Sequence, residues 1–249
     1  MEIIWEFSES DIKRVVSFVN VNKNFFVENR ISRNIYGKDI HLDKDEILKT
    51  MLMCLLTSHQ NSGPDSNLNV FLRNKPFLLT DKFLSEEYDI EDAVREVLIS
   101  NGLKRYFNKL PNYFNFNYFY LVQSSWELKN ELEDCFRKDL TKSEERALAD
   151  KIDQNFKGFG SKQARNFLQS LGLTKYEIPI DARTITWLNN FGFPISFTPI
   201  ALQDKAFYHF VSDAIQLLCE KADIYPCVLD AAIFSSNETI DRSRANLVF

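Results

Sequence analysis

Glycine and proline are scarce in this chain, with seven of each among 249 residues. Turn-rich β-sandwiches and doubly wound α/β folds usually need more glycine than that, so the shortage favours a mostly helical protein. Cysteine is scarce as well. Cys54, Cys135, Cys219 and Cys227 form no CxxC pair, and His41, His59 and His209 stand at no zinc-like spacing from them. Scattered thiols of this kind read as free and mostly buried, as in a reducing cytosol. Long apolar runs are missing too: no stretch approaches the ~18 uninterrupted apolar residues of a membrane span. The first residues, MEIIWEFSES, carry glutamates where a secretory leader would place lysines, so no leader is expected. Nor is positive charge in excess. With Lys+Arg 30 against Asp+Glu 35 the net charge is −5, which excludes attachment to nucleic acid or anionic lipid by bulk charge, but leaves room for a local basic surface.

What is present is an ordinary globular composition, 45% hydrophobic and 26% charged, enough for one large core or two smaller ones. Phenylalanine is over-used at 22, which suggests large aromatic contacts between helices. The apolar spacing is helical almost throughout. Ile47, Leu48, Met51, Leu52, Leu55 and Leu56 make a buried helix face behind Asp43. Thr141 with Glu144, and Ser124 with Glu127, both read as capping boxes that open helices. Thr198-Pro199 fits an N-cap followed by proline at the first helical position. Asn101-Gly102 closes a helix from about Ile90, glycine supplying the left-handed end. The aromatic and asparagine-rich run from Tyr106 to Tyr120 reads as a Phe/Tyr core under an irregular loop, with base stacking as the alternative. No alternating strand of five or more residues is evident, so the fold class is all-α.

The segment that carries chemistry runs from Asn155 to Leu188. A helix ends near Phe156, the chain turns tightly through Gly158-Phe159-Gly160, and a second helix follows from Ser161 with Ala164, Phe167, Leu168 and Leu171 on its buried side. Such a hairpin leaves backbone N–H groups unpaired and adds a helix N-terminus, and both favour an anion such as a nucleic-acid phosphate. Lys162 sits in the first turn of the second helix. A nucleophilic lysine must be uncharged, and the helix dipole there opposes its proton by about 0.3–1 kcal/mol, so burial must supply the rest. Nineteen residues on, Asp181 stands at the N-cap of a helix through Ile185 and Leu188. N-terminal amides keep a carboxylate there ionised, able to face a developing cation.

GxGxK, then ARNFL, then PxD at that distance resembles the helix-hairpin-helix DNA glycosylase superfamily, most of all the 8-oxoguanine DNA glycosylase/AP lyases with a Schiff-base lysine. Two further stretches are similar. Leu56-Thr57-Ser58-His59-Gln60-Asn61 resembles the helix end from which a polar residue fills the gap left by a flipped base. Leu229-Asp230-Ala231-Ala232-Ile233-Phe234 resembles the helix that lines the base pocket. The resemblance spans roughly Ile47 to Phe234, and residues 1–41 receive no role from it.

It implies that Gly158 and Gly160 let hairpin amides clamp a DNA phosphate, with room for a metal ion on the hairpin carbonyls, and that Arg183 adds a phosphate contact. Gln60 with Asn61 fills the vacated stack, Lys162 attacks C1′, and Asp181 stabilises positive charge on the sugar and helps with proton transfers. Phe234 stacks on the base, and Asp230, an acceptor, suits the N1–H and N2–H₂ donors of guanine. Asn166 sits where some relatives hold a small thiol against the base, Asp230 where the eukaryotic relatives carry an amide, and Phe156-Lys157 where Leu-Pro often precedes the glycines.

The implied architecture is a helical barrel over residues 46–175 that ends in the hairpin, with residues 1–45 packed against 176–249. The cleft lies between them, with Lys162 and Asp181 on its opposite sides. The expected partner is duplex DNA with a damaged base, met by a monomer with no membrane association and no required cofactor. No four-cysteine motif follows the catalytic segment, which disfavours the iron–sulfur branch. The expected location is intracellular, cytoplasmic and nucleoid-associated in a prokaryote. Two other functions fit less of the sequence: a glycosylase for another modified base, and a non-catalytic helix-hairpin-helix damage sensor. A third, an all-α protein-interaction domain, predicts no salt-dependent DNA binding.

Overall fold

The computed structural model describes residues 4–57, 66–104 and 108–237. Among these residues the regular structure is entirely helical. In chain order the α-helices are α1 (Glu9–Val21), α2 (Phe25–Arg30), α3 (Lys44–Thr57), α4 (Asn67–Leu72), α5 (Asp81–Glu86), α6 (Ile90–Ser100) and α7 (Leu110–Gln123). They continue as α8 (Glu127–Phe136), α9 (Lys142–Asn155), α10 (Ser161–Ser170), α11 (Ala182–Phe191), α12 (Lys205–Lys221) and α13 (Pro226–Asn237). A π-helical turn, Ile31–Ile35, follows α2. None of these helices is long and apolar enough to cross a membrane.

Buried apolar side chains fall into two clusters. One gathers residues from Leu42 to Leu173, built around α3, whose Ile47, Leu48, Met51 and Leu52 are fully buried. The other joins Val15, Val19 and Val27 to residues from Ile178 to Ile233, so the chain leaves this cluster after α2 and returns to it before α11. A buried polar network sits where the chain crosses back. Glu145 of α9 accepts the backbone N–H groups of Lys175, Tyr176 and Glu177 at 2.9, 2.8 and 2.8 Å. Burial pushes its carboxyl up to about 7 against the pull of those amides. Glu177, fully buried, pairs with Arg165 of α10 and accepts from Arg146, Ser212 and Gln216. The Tyr208 hydroxyl donates to Ile178 O at 3.0 Å and accepts from Ile180 N at 2.8 Å. The path from α10 to Asp181 is thereby fixed by side chains of α9, α10 and α12.

The expected ends of α6 and α9 form. Leu103 N donates to Leu98 O and Gly102 N to Ile99 O, with Gly102 at φ +76°, and Thr141 and Glu144 exchange the two hydrogen bonds of a capping box. Three expectations need correction. Ser124 and Glu127 make no capping box, because Ser124, Ser125 and Trp126 are spent on closing α7. There Trp126 N donates to Leu121 O, Ser125 N to Val122 O, and both Ser125 and Trp126 adopt positive φ. Thr198 caps only a short 3₁₀ turn, Ala201–Gln203, and Asp204 caps the long helix α12 instead. The described part of the aromatic run is helix α7, not a loop. Phe114, Asn117, Tyr118 and Leu121 recur at helical spacing on its buried side, and Pro111 occupies its first turn.

Candidate active site

The hairpin between α9 and α10 is held from both sides. Asn117 of α7, fully buried, accepts from Lys157 N at 2.7 Å and donates to Lys157 O at 3.0 Å. Phe159, between the glycines, packs edge-on against Phe156 and Phe167. Gly158 adopts φ +81°, and a Cβ there would lie 2.4 Å from the Tyr113 ring, so the turn requires glycine. A Cβ on Gly160 would meet nothing, because this face is open to an approaching group. The N–H groups of Gly158, Gly160, Ser161 and Lys162 carry no hydrogen bond among the described residues, and α10 lacks a capping side chain. Unpaired amides at a helix start are the kind of group that can receive an anion. A cation on the hairpin carbonyls would share Phe156 O with Phe159 N and Lys157 O with Asn117, each oxygen keeping one lone pair.

Beyond the hairpin, a cleft of about 380 Å³ is lined by Lys162, Asn166, Asp181, Arg183, Asp230 and Phe234 together. The sequence places these residues on three separate elements, and the fold brings them to one space. Gln60 and Asn61 lie outside the described residues, although Thr57 at the end of α3 reaches the cleft. Lys162 is half-buried and makes no hydrogen bond or ion pair among the described residues. Cys54 lies close to it and accepts from Asn166 Nδ2 at 3.4 Å. Burial pushes that thiol up to about 12, so it stands beside the lysine as a neutral group rather than a thiolate.

Asp181 caps α11 as expected, its Oδ1 accepting from Arg183 N at 2.8 Å and Thr184 N at 3.1 Å. Its Oδ2 accepts from Arg183 Nε and Nη2 at 3.0 and 2.7 Å. Burial pushes this carboxyl up, but the Arg183 guanidinium, the Thr184 amide and the nearby Lys162 charge outweigh burial and hold it below the usual carboxylate range. Arg183 also lies over the Phe234 ring, 4.5 Å from its centroid, so one face of that aromatic is covered. A base can stack on that face only when Arg183 swings aside.

Asp230 and Phe234 stand one turn apart on α13, the carboxylate accepting from Gln169 Nε2 at 2.7 Å. Burial pushes the Asp230 carboxyl above its ordinary range, Arg30 and Gln169 pull it down, and Asp181 pushes it up further. The folded chain therefore binds this proton more tightly than the unfolded chain. Any stability gained from that is complete at low pH and is lost as pH rises through the raised pKa. Asp230→Asn is accordingly expected to melt above wild type at neutral pH. The gap should close as pH falls toward the ordinary carboxylate range near ~4. Thermal unfolding across pH checks this, and a variant less stable than wild type at neutral pH contradicts it.

Residues to which the sequence assigned no role complete the site. Phe26 of α2 meets Phe234 edge-to-face at 5.2 Å. Arg30, Arg33 and Asn34 donate to the last carbonyls of α10: Arg30 and Asn34 to Gln169 O, and Arg33 to Ser170 O. These positive and polar groups satisfy the negative end of the helix that carries Lys162. No motif marks them. The π-helical turn that sets their direction has no signature in the residues Ile31–Ile35.

No protein-family model and no curated protein matches this sequence. Solved structures do. The 8-oxoguanine DNA glycosylase of Methanocaldococcus jannaschii is similar over 90% of this chain and 91% of its own, at 19% identity and a TM-score of 0.63. The 8-oxoguanine glycosylase/lyase of that organism, in complex with a 15mer DNA containing 8-oxoguanine, is similar over 92% of this chain and all of its own (16% identity, TM-score 0.64). The 8-oxoguanine DNA glycosylase of Thermotoga maritima is similar over 93% and 96% of the two chains, at 16% identity and a TM-score of 0.63. The helices, the hairpin and the cleft thus assemble into the helix-hairpin-helix fold of the 8-oxoguanine DNA glycosylases.

Proposed function

We propose that this protein is a DNA glycosylase with AP lyase activity that removes 8-oxoguanine from duplex DNA. One observation carries the reading: a lysine without a partner among the described residues lines the same cleft as an aspartate held in its ionised form, beside backbone amides without partners. The amides of Gly158, Gly160 and the start of α10 take a backbone phosphate. The damaged nucleotide leaves the stack at a cost of a few kcal/mol, offset by contacts in the cleft. The neutral Lys162 amine attacks C1′ as the bond to the base breaks, and the bonding pair leaves with the base, which takes up a proton. Asp181 stabilises the positive charge that develops on the sugar. The amine then loses a proton and the sugar ring opens to an imine, whose C2′ proton is acidic enough for β-elimination of the 3′ phosphate. Water releases the lysine. The lysine supplies the covalent chemistry, so no cofactor is needed. The reading places the enzyme on DNA as a monomer inside the cell.

Free base released from duplexes, resolved by mass, tests this. Release of 8-oxoguanine, with undamaged and oxidised-pyrimidine duplexes left intact, supports the reading. DNA binding without release of any base overturns it.

Asp181→Asn gives a second check. Asparagine is as good an N-cap as aspartate, so α11 keeps its start while the charge disappears. Excision is expected to fall by about 10²–10⁴-fold, the usual loss when a preorganised charge is removed, with folding and DNA binding kept. Single-turnover rates near wild type would contradict the role of the carboxylate.

A further inference from the structure

The helix α2 packs against α13 along one wall of the cleft and presents Phe26 and Arg30, one turn apart, on the same side as Phe234 and Asp230. Arg30 Nη2 lies 3.9 Å from Asp230 Oδ2, beyond hydrogen-bond distance, and both side chains keep part of their surface open, 19% and 14%. Arg30 Nη1 is spent on Gln169 O, and Gln169 Nε2 is spent on Asp230 Oδ2. Arg30 Nη2 and Asp230 Oδ1 therefore keep their hydrogen-bonding capacity among the described residues, one a donor and the other an acceptor, side by side on the wall of the cleft.

We propose that Arg30 and Asp230 read the flipped base as a pair, Arg30 donating to O6 of a guanine-type base while Asp230 accepts from its N1–H and N2–H₂ groups. The inference rests on the glycosylase reading above and deepens it. Donor beside acceptor matches guanine along its whole pairing edge, which presents O6, then N1–H, then N2–H₂. Adenine and cytosine present an amino donor and then a ring-nitrogen acceptor, so they set donor against Arg30 and acceptor against the carboxylate. Thymine matches at O4 and N3–H but turns O2 toward the carboxylate. The buried Gln169 amide fixes the carboxylate by one oxygen and leaves the other for the base, and is a positioning residue.

The experiment compares excision with a reaction that needs no base. In Arg30→Met, excision of 8-oxoguanine is expected to fall by about 10- to 100-fold, the worth of one specific charged contact to a base. Cleavage of an abasic-site duplex, which offers Lys162 the same C1′, should stay within about threefold of wild type. Equal losses in both reactions would show that Arg30 merely caps α10, and overturn the inference; unchanged 8-oxoguanine excision would overturn it too. A measurement on the wild type is independent of how the variant folds: 8-oxo-6-thioguanine, with sulfur as a poorer acceptor in place of O6, should be excised more slowly than 8-oxoguanine. Equal excision of the two contradicts the Arg30 contact and leaves the glycosylase reading standing. A wild type that acts on neither damaged nor abasic duplex removes that reading, and the inference with it.

Discussion

Lys162→Gln is expected to lose 8-oxoguanine excision by at least ~10⁴-fold while remaining folded and bound to DNA. Glutamine keeps the length and polarity of the position but carries no nucleophilic lone pair. The large loss follows from the reaction itself, since without the amine neither the bond to C1′ nor the imine can form. Little stability should be lost. Lys162 is only half-buried, and it has no hydrogen bond or ion pair among the described residues that substitution would break. Removing its positive charge relieves an unfavourable interaction with the helix dipole but forfeits its attraction for the Asp181 carboxylate, small effects of opposite sign, so the melting temperature should change little. The proposed phosphate site is backbone, and its glycines and the Asn117 clamp are untouched. Rates on an 8-oxoguanine duplex, with binding measured alongside, decide the matter. A glutamine variant that excises within tenfold of wild type would assign the chemistry to another group.

Glu177→Gln should cost about 3–5 kcal/mol of stability, because it strands a buried charge. Arg165 and Glu177 are both fully buried, and among the described residues Arg165 has only Asp150, at 3.4 Å, as a second carboxylate. Glutamine keeps the shape of Glu177 but leaves the Arg165 guanidinium largely uncompensated in the interior. Arg165→Met should cost less, since Glu177 retains Arg146 at 2.9 Å, Gln216 at 2.8 Å and Ser212 at 3.2 Å. In a chain of this size each kcal/mol moves the melting temperature by about 2–4 °C, so Glu177→Gln should melt roughly 10 °C low. Denaturant unfolding of both variants checks the order. The opposite ranking would mean that the network is held by Arg165 and not by the carboxylate. The effect reaches the site, because this network sets the path from α10 to Asp181.

The helices, and the positions of Lys162 and Asp181 at the starts of α10 and α11, could be read from the residues because each depends on local rules. The turn at Gly158 needs a left-handed residue, Lys162 falls in the first turn by spacing, and Asp181 is an N-cap whose partners lie within three positions. The aromatic run misled for a reason that is also local. Asn112, Asn115 and Asn117 are poor helix formers, and aromatics occur on every side of α7, so the apolar stripe is blurred. Tertiary demand decides there, and Asn117 is buried in the helix because it clamps the hairpin 40 positions away. The capping signature at Ser124 failed because two helices compete for the same three residues. Phe26, Arg30, Gln169 and Glu177 were not legible at all. Their partners lie far along the chain, so nothing near them in sequence marks what they touch.

The imine at Lys162 is most directly tested by borohydride reduction during turnover on a duplex with one 8-oxoguanine, followed by mapping of the attached residue by mass spectrometry. A covalent protein–DNA adduct carried on Lys162, formed on the 8-oxoguanine duplex and absent from the undamaged one, is the expected result. An adduct on any other residue, or base release with no adduct at all, would contradict the lysine mechanism.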